Sequence, residues 1–354
     1  MTDILMSDLS EIISDENIGW NSFTNSTILV IGATGLIGSF LVRALSKADK
    51  AFELNLNIIA IGRNTTQKEI LFNELSLKFI SGDIRHPEFF HKIADKIDYI
   101  FHCAAITNST DMLERPVDVI STSVDGTKNA LELAKRSSCK SFVYLSSMEI
   151  YGQTDLKSVS ENDLGYVSLS NPRSSYPESK RLCEVMCLSY ATQFNLPVKI
   201  ARLAQTFGAG TSRDDSRVFA QFARNAINGT CIILHTDGNS RGNYCYISDS
   251  IRGLLTVLLK GKTGEAYNVS NPATSVTIRE MANLLAADIF NGSVSVAVNV
   301  PNDKAVRSYA PAVGHILNIE KLKALGWLPK YSLKEMFERM IGDWNSSLDP
   351  FKNS

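Results

Sequence analysis

Three glycines at three-residue spacing, Gly32-x-x-Gly35-x-x-Gly38, join a β-branched run to an amphipathic one. Residues 26–31 read as a buried strand, and the apolar spacing from 36 to about 47 reads as a helix. Each glycine has a separate physical use in such a turn. Gly32 permits the tight bend, and Gly35 lets a pyrophosphate approach the backbone with no Cβ in the way. Gly38 lets the helix lie close on the strand, while the free N–H groups and positive end of that helix face the phosphates. The spacing alone also fits a glycine-rich turn without a ligand. The strand before it and the helix after it favour a dinucleotide site made by Gly32, Thr34, Gly35, Leu36, Ile37 and Gly38.

The same rhythm continues. Strands are expected at 57–61, 78–80, 99–102, 141–145 and 198–203, with helices at 122–135 and 176–192. Strands alternating with helices imply crossovers and a parallel sheet covered on both faces. The expected class is α/β, a Rossmann-like doubly wound parallel sheet. After residue 204 the rhythm gives way to loops rich in Gly, Asn, Ser and Asp, which predicts a smaller C-terminal α+β region. Three parts are expected: an acidic helical extension outside the main fold (1–25), a dinucleotide-binding domain (26–204) and a mainly substrate-binding region (205–354).

Composition narrows the function classes. The 36 Lys and Arg against 37 Asp and Glu leave a formal charge of -1. That balance offers no overall field for nucleic acid or an acidic membrane. A chain that is 44% hydrophobic and 21% charged is not disordered in bulk. No apolar run approaches the roughly 18 residues of a membrane span. The first twenty residues carry acids where a targeting peptide carries Lys or Arg, so a cytoplasmic protein is expected. The six cysteines form no C-x-x-C pair. Cys183 and Cys187 stand one turn apart on an expected helix with no His near them. Buried free thiols, and no metal site, are expected.

The second strand ends in Ile61-Gly62-Arg63-Asn64. A carboxylate there takes the ribose hydroxyls of NAD, whereas Arg pairs with a 2′-phosphate, so Arg63 leans the cofactor toward NADP over NAD. Asp83, followed by Ile84, comes after the third strand. It is placed either to accept from the adenine amino group or to cap a helix.

Tyr176-Pro177-Glu178-Ser179-Lys180 sets a phenol and an ammonium one helical turn apart on the same face. A nearby Lys and a bound nicotinamide cation favour phenolate. Such a tyrosine accepts a proton from a substrate hydroxyl as hydride leaves its carbon, and Lys180 also suits the nicotinamide ribose. The spacing is equally that of an aromatic and a surface cation on an amphipathic helix. The segment Leu145-Ser146-Ser147-Met148-Glu149-Ile150-Tyr151-Gly152 closes the fifth strand, where open parallel sheets place ligands. Ser147 there is positioned to bond the same substrate oxygen.

Taken together, these motifs resemble the extended short-chain dehydrogenase/reductase family, in its NAD(P)-dependent nucleotide-sugar epimerase/dehydratase branch, over roughly residues 26–345. The resemblance adds His102-Cys103-Ala104-Ala105, Gly126-Thr127-x-Asn129, Arg202-Leu203-x-x-Thr206-Phe207-Gly208, Arg217-Val218-Phe219, Tyr244-x-Tyr246-Ile247-x-Asp249 and Leu325-Gly326-Trp327. It implies Tyr176 as base, Lys180 as its partner, Ser147 as the orienting hydroxyl, and Ala104 and Ala105 beside the cofactor. It further implies a nucleoside-diphosphate sugar oxidised transiently at C4, activated-sugar or surface-polysaccharide biosynthesis as the setting, and a homodimer built on helices 122–135 and 176–192. Glu149, two residues after the Ser, resembles the dehydratase and decarboxylase branches, where a carboxylate takes the C5 proton or assists loss of a carboxyl group. A 4-epimerase or a 4-ketoreductase is the alternative. A non-catalytic dinucleotide-binding regulator is the remote one. Substrate contacts are expected from Ser147, Gln205, Arg217, Val218, Arg241 and Arg307, since Arg pairs well with diphosphate or carboxylate. Four positions depart from the family pattern. Met148 replaces an Asp acid of glucose 4,6-dehydratases, Ser123 and Gln205 replace asparagines, and the family arginine falls on Gly242, beside Arg241.

Overall fold

The computed structural model describes residues 1–93, 96–300 and 314–347. In chain order the elements begin α1 (Asp3–Ile13), β1 (Thr27–Ile31), α2 (Leu36–Phe52), β2 (Asn57–Gly62), α3 (Thr65–Phe72), β3 (Lys78–Ser81), α4 (Pro87–Phe90) and β4 (Tyr99–His102). They continue α5 (Ser109–Glu114), α6 (Pro116–Ser137), β5 (Ser141–Ser147), β6 (Ser158–Val159), α7 (Ser175–Phe194), β7 (Val198–Leu203), β8 (Gln205–Phe207), α8 (Val218–Ile227), β9 (Ile232–Leu234) and β10 (Arg241–Tyr246). The chain closes with α9 (Ile247–Lys260), β11 (Ala266–Val269), β12 (Asn271–Thr277), α10 (Ile278–Asn283), β13 (Val296–Val298), β14 (Ile316–Leu317), α11 (Glu320–Lys323) and α12 (Leu333–Ser347).

Seven strands form one parallel sheet in the order β11-β7-β5-β4-β1-β2-β3. β1 shows why both faces are covered. Its Ile28 and Val30 enter one apolar cluster, while Leu29 and Ile31 enter the cluster on the opposite face. A strand buried on both sides reads as an unbroken apolar run. The strand order reverses between β1 and β4, so the crevice at their carboxyl ends is where a ligand belongs in an open α/β sheet.

Two expectations are corrected here. The break in rhythm after residue 204 does not end the large sheet. The chain returns through β11, which pairs with β7 from Ala266↔Ile200 to Val269↔Leu203. The amino-terminal segment does not lie outside the fold either. Leu5, Leu9 and Ile12 of α1 are buried in the larger core with α2, α9 and α12. On the same face Asp8, fully buried, accepts from Tyr246 Oη at 2.6 Å and from Arg339 Nε at 3.1 Å. Burial outweighs these partners and lifts the Asp8 carboxyl to about 6. Asp15 pairs with Arg252 at 2.9 Å and Glu11 with Lys330 at 2.8 Å, so three acids near the amino terminus bind the carboxyl-terminal third.

Several of the quoted motifs serve this assembly. Asp249 accepts from the backbone N–H groups of Lys330 and Tyr331, and its carbonyl accepts from the Trp327 indole at 3.0 Å. Asn129 donates to the carbonyls of Ile84 and Arg85, and Gly126 leaves room for the Ile84 side chain. That helix therefore shapes the loop after β3. Among the described residues no helix is long and apolar enough to cross a membrane.

Candidate active site

The glycine turn behaves as three separate devices. A Cβ on Gly38 would stand 2.2 Å from the Gly32 carbonyl, and one on Gly32 would stand 2.7 Å from the Ala104 backbone. Gly32 also sits at φ +83°, where side chains are strained. Both glycines are demanded by the protein's own packing. Gly35 is not: it is exposed, and its nearest foreign atom would be 3.5 Å away. Gly35 is also the N-cap of α2 and brings no side chain to the first turn, so the leading N–H groups face the crevice. A backbone approach left open at a positive helix end fits a pyrophosphate.

Around that turn the structure gathers half-buried Leu36, Ile37, Ala104 and Ala105 at the ends of β1 and β4. Thr34, Arg63 and Asn64 line a groove at the end of β2, and Arg63 is exposed. Asp83 is not a helix cap, since α4 starts from His86. Its carboxylate is held by Arg85 at 2.6 Å, which keeps it below the usual carboxylate range. Ile84 is buried behind it.

Tyr176 and Lys180 lie in the first turns of α7, both buried. Lys180 Nζ donates to the Leu145 carbonyl at 2.6 Å and sits 5.8 Å from the Tyr176 ring centroid. Burial lowers the ammonium to about 8, against the opposing pull of Cys183 and Glu184. The Ser147 hydroxyl stands beside the Tyr176 phenol, and it accepts from the Glu149 backbone N–H at 3.2 Å. The sequence suggests a phenol made more acidic by Lys180. In the chain by itself the phenol is pushed well up, first by burial and then by the Glu149 charge, with Ser147, Arg173 and Arg217 opposing. Tyr176 is therefore a protonated phenol here, and a cation bound beside it would supply the missing downward pull.

Glu149 stands on a one-turn 3₁₀ segment directly after β5. The carboxylate expected to take a proton or assist carboxyl loss already has an ionic partner. Both oxygens are taken by Arg173, at 2.8 and 3.0 Å. Arg173 is not among the residues that the sequence motifs single out. The signal available was an arginine three residues ahead of the tyrosine.

The substrate-side residues divide. Gln205 opens β8, half-buried. Arg217 is the N-cap of α8, just ahead of Val218, and reaches far enough to act on Tyr176, but Asp215 already pairs with it at 2.6 Å. Arg241 donates to the Ser275 carbonyl at 2.6 Å, which commits it to β12. The neighbouring Gly242 has no room for a larger side chain, because the Tyr244 hydroxyl would lie 2.2 Å from its Cβ. Arg307 lies outside the described residues. The six thiols are free; Cys183 Sγ donates to the Ser123 carbonyl at 3.2 Å.

Residues 28–270 match the family described as NAD dependent epimerase/dehydratase. UDP-glucuronic acid decarboxylase 5 of Arabidopsis thaliana is 30% identical over 336 residues, covering 93% of this chain and 92% of that protein. An epimerase of Methanothermobacter thermautotrophicus superposes with a TM-score of 0.80 at 25% identity, covering 97% and 98% of the two chains. The dTDP-glucose 4,6-dehydratase DesIV of Streptomyces venezuelae, solved with NAD and TYD bound, superposes at 0.76 and 23% identity over 90% and 97%, a likeness of fold.

Proposed function

Because this chain belongs to the NAD-dependent epimerase/dehydratase family, we propose that it is an enzyme acting on a nucleoside-diphosphate sugar through transient oxidation at C4, and that it decarboxylates a uridine-diphosphate uronate. The observation that carries this reading is the convergence of Ser147, Tyr176, Lys180 and Glu149 at the end of β5, beside the open glycine turn. The named decarboxylase relative, aligned over nine-tenths of both chains, supports the choice of substrate.

The nicotinamide cofactor, when bound, supplies the hydride acceptor. The chain's own residues do the rest. The glycine turn and the α2 amino terminus hold the diphosphate, Asp83 and Ile84 bound the adenine side, and Lys180 steadies the nicotinamide ribose. Ser147 orients the sugar hydroxyl, and Tyr176 takes its proton. A ketone at C4 makes the carboxyl group of a uronate a β-keto acid. Its loss leaves an electron pair that the C4 oxygen receives, and the protonated Tyr176 phenol is then placed to donate. Loss of water is the weaker arm, because Met148 offers no proton where the related dehydratases use an acid.

Arg63, with Asn64 and no acid beside it, suits the 2′-phosphate of NADP. We assign residues 26–204 to the cofactor and 205–354 mainly to the sugar nucleotide. A second copy is proposed to dock on α6 and α7, where Val117, Ile120, Leu182, Val185 and Leu188 form an exposed apolar stripe. The test is incubation with UDP-glucuronate, UDP-glucose, dTDP-glucose and GDP-mannose, with NAD or NADP, followed by product mass. Loss of carbon dioxide from UDP-glucuronate is expected. Loss of water from a hexose, or an isomer of unchanged mass, overturns the decarboxylase reading.

A further inference from the structure

Among the described residues, Arg173 of the crevice is almost wholly buried and gives both terminal nitrogens to a single carboxylate. It stands on a 3₁₀ turn, Pro172–Ser174, capped by Asn171 and running directly into α7. Its side chain is 7% exposed against 26% for Glu149, and its two terminal nitrogens bond the two Glu149 oxygens. The remaining N–H, at Nε, is buried without a partner. A bidentate guanidinium–carboxylate pair fixes orientation as well as charge. Both ends are anchored to catalytic elements, since Glu149 follows Ser147 by two residues and Arg173 precedes Tyr176 by three.

We propose that Arg173 is a positioning residue of the reaction: it clamps Glu149 through both oxygens and so fixes where that charge stands relative to the Tyr176 phenol. The inference rests on the reading of Tyr176 as the proton-transfer group. The groups that face Tyr176 are Glu149 after β5, Arg173 on the preceding turn, Arg217 ahead of α8, Tyr144 within β5 and Lys180 on its own helix. Of these Glu149 pushes the phenol up, while Arg173 and Arg217 pull it down. In the clamped pair the Arg173 charge offsets part of the Glu149 charge that Tyr176 feels. An unclamped Glu149 is a bare anion next to a group that must itself become an anion.

The test uses NAD-loaded protein and reads the phenolate absorbance of Tyr176, taken in each background as the difference from the matching Tyr176→Phe form. Arg173→Met is expected to raise the pH at which phenolate appears by about one unit. Glu149→Gln is expected to lower it, the double variant to return near the parent value, and Arg173→Lys to recover part of the shift. One unit is tenfold in phenolate, so kcat on UDP-glucuronate at neutral pH falls about tenfold in Arg173→Met while KM changes little. An unmoved phenolate titration in Arg173→Met, or a double variant whose phenolate appears at the same raised pH as in Arg173→Met, would overturn the proposal. If Arg173→Met does not fold, Arg173→Lys, which keeps a cation beside Glu149, and the double variant, which removes both charges, decide the same question. A parent protein inert toward every sugar nucleotide sinks the functional reading instead, and the absorbance titration still judges the clamp.

Discussion

Two buried charge clusters in this protein are built to opposite ends. Under α1, Asp8 gives one oxygen to Tyr246 and the other to Arg339, and Arg339 Nε also reaches the Tyr246 hydroxyl at 3.1 Å. These three groups satisfy one another and hold an amino-terminal helix to the last helix of the chain. In the crevice, Lys180 is buried against the Leu145 carbonyl, and Arg173 keeps an unpartnered N–H. The closed cluster ties two helices together, whereas the open one leaves polar groups that a ligand can satisfy. The difference marks where the fold spends stability on chemistry.

The sharpest break between the two comes from deleting one oxygen in the crevice. Tyr176→Phe should cut turnover by about 10²–10⁴-fold, the range for a lost general acid–base group, while the thermal midpoint and cofactor affinity hold. Stopped-flow absorbance and calorimetry on the same preparation check both halves, and unchanged turnover would remove the base assignment. Asp8→Ala should do the reverse. It strands Arg339 and the Tyr246 hydroxyl, at a cost of about 3 kcal/mol read from urea unfolding. A loss under ~1 kcal/mol would mean that α1 is held by its apolar face alone.

The glycine turn sharpens the comparison within one motif. Gly35→Val should fold and lose cofactor affinity at least about tenfold, because its Cβ meets only space that a pyrophosphate needs. Gly38→Ala should lose the fold itself, since its methyl would enter the Gly32 carbonyl. Circular dichroism and cofactor titration separate the two outcomes. The smallest expected effect is one of pH. The Asp8 carboxyl is raised from 3.8 to about 6 in the folded chain. Between those values the folded state holds a proton that the unfolded state lacks, so this group adds stability as pH falls. Measured against Asp8→Asn, the parent should gain ~1 kcal/mol between pH 7 and pH 5. A parent that instead loses ground to the variant on acidification would show the carboxylate stabilised by Arg339 beyond its burial cost.

Legibility differs in the same way across the molecule. The glycine spacing and the Tyr176–Lys180 pair were readable because turn and helix geometry place neighbours in sequence at fixed positions in space. Helix ends were read short: the segment expected at 122–135 runs as Pro116–Ser137, its start set by a proline in the first turn. The return of β11 to the sheet was hidden because a four-residue strand reads like any short apolar run. Asp8 did leave a trace, an acid on the apolar face of its helix with Leu5, Leu9 and Ile12. Its partners lie 238 and 331 residues away, and no local pattern points to them.

Chain-local geometry was enough to specify a βα turn that admits a diphosphate, a parallel sheet, and a phenol one turn from an ammonium. Packing alone settled which charges meet. It put Arg173 on Glu149, Arg339 on Asp8, and the first helix on the last. Backbone periodicity is written residue by residue, but a charge chooses its partner only after burial has removed the water that would otherwise satisfy it.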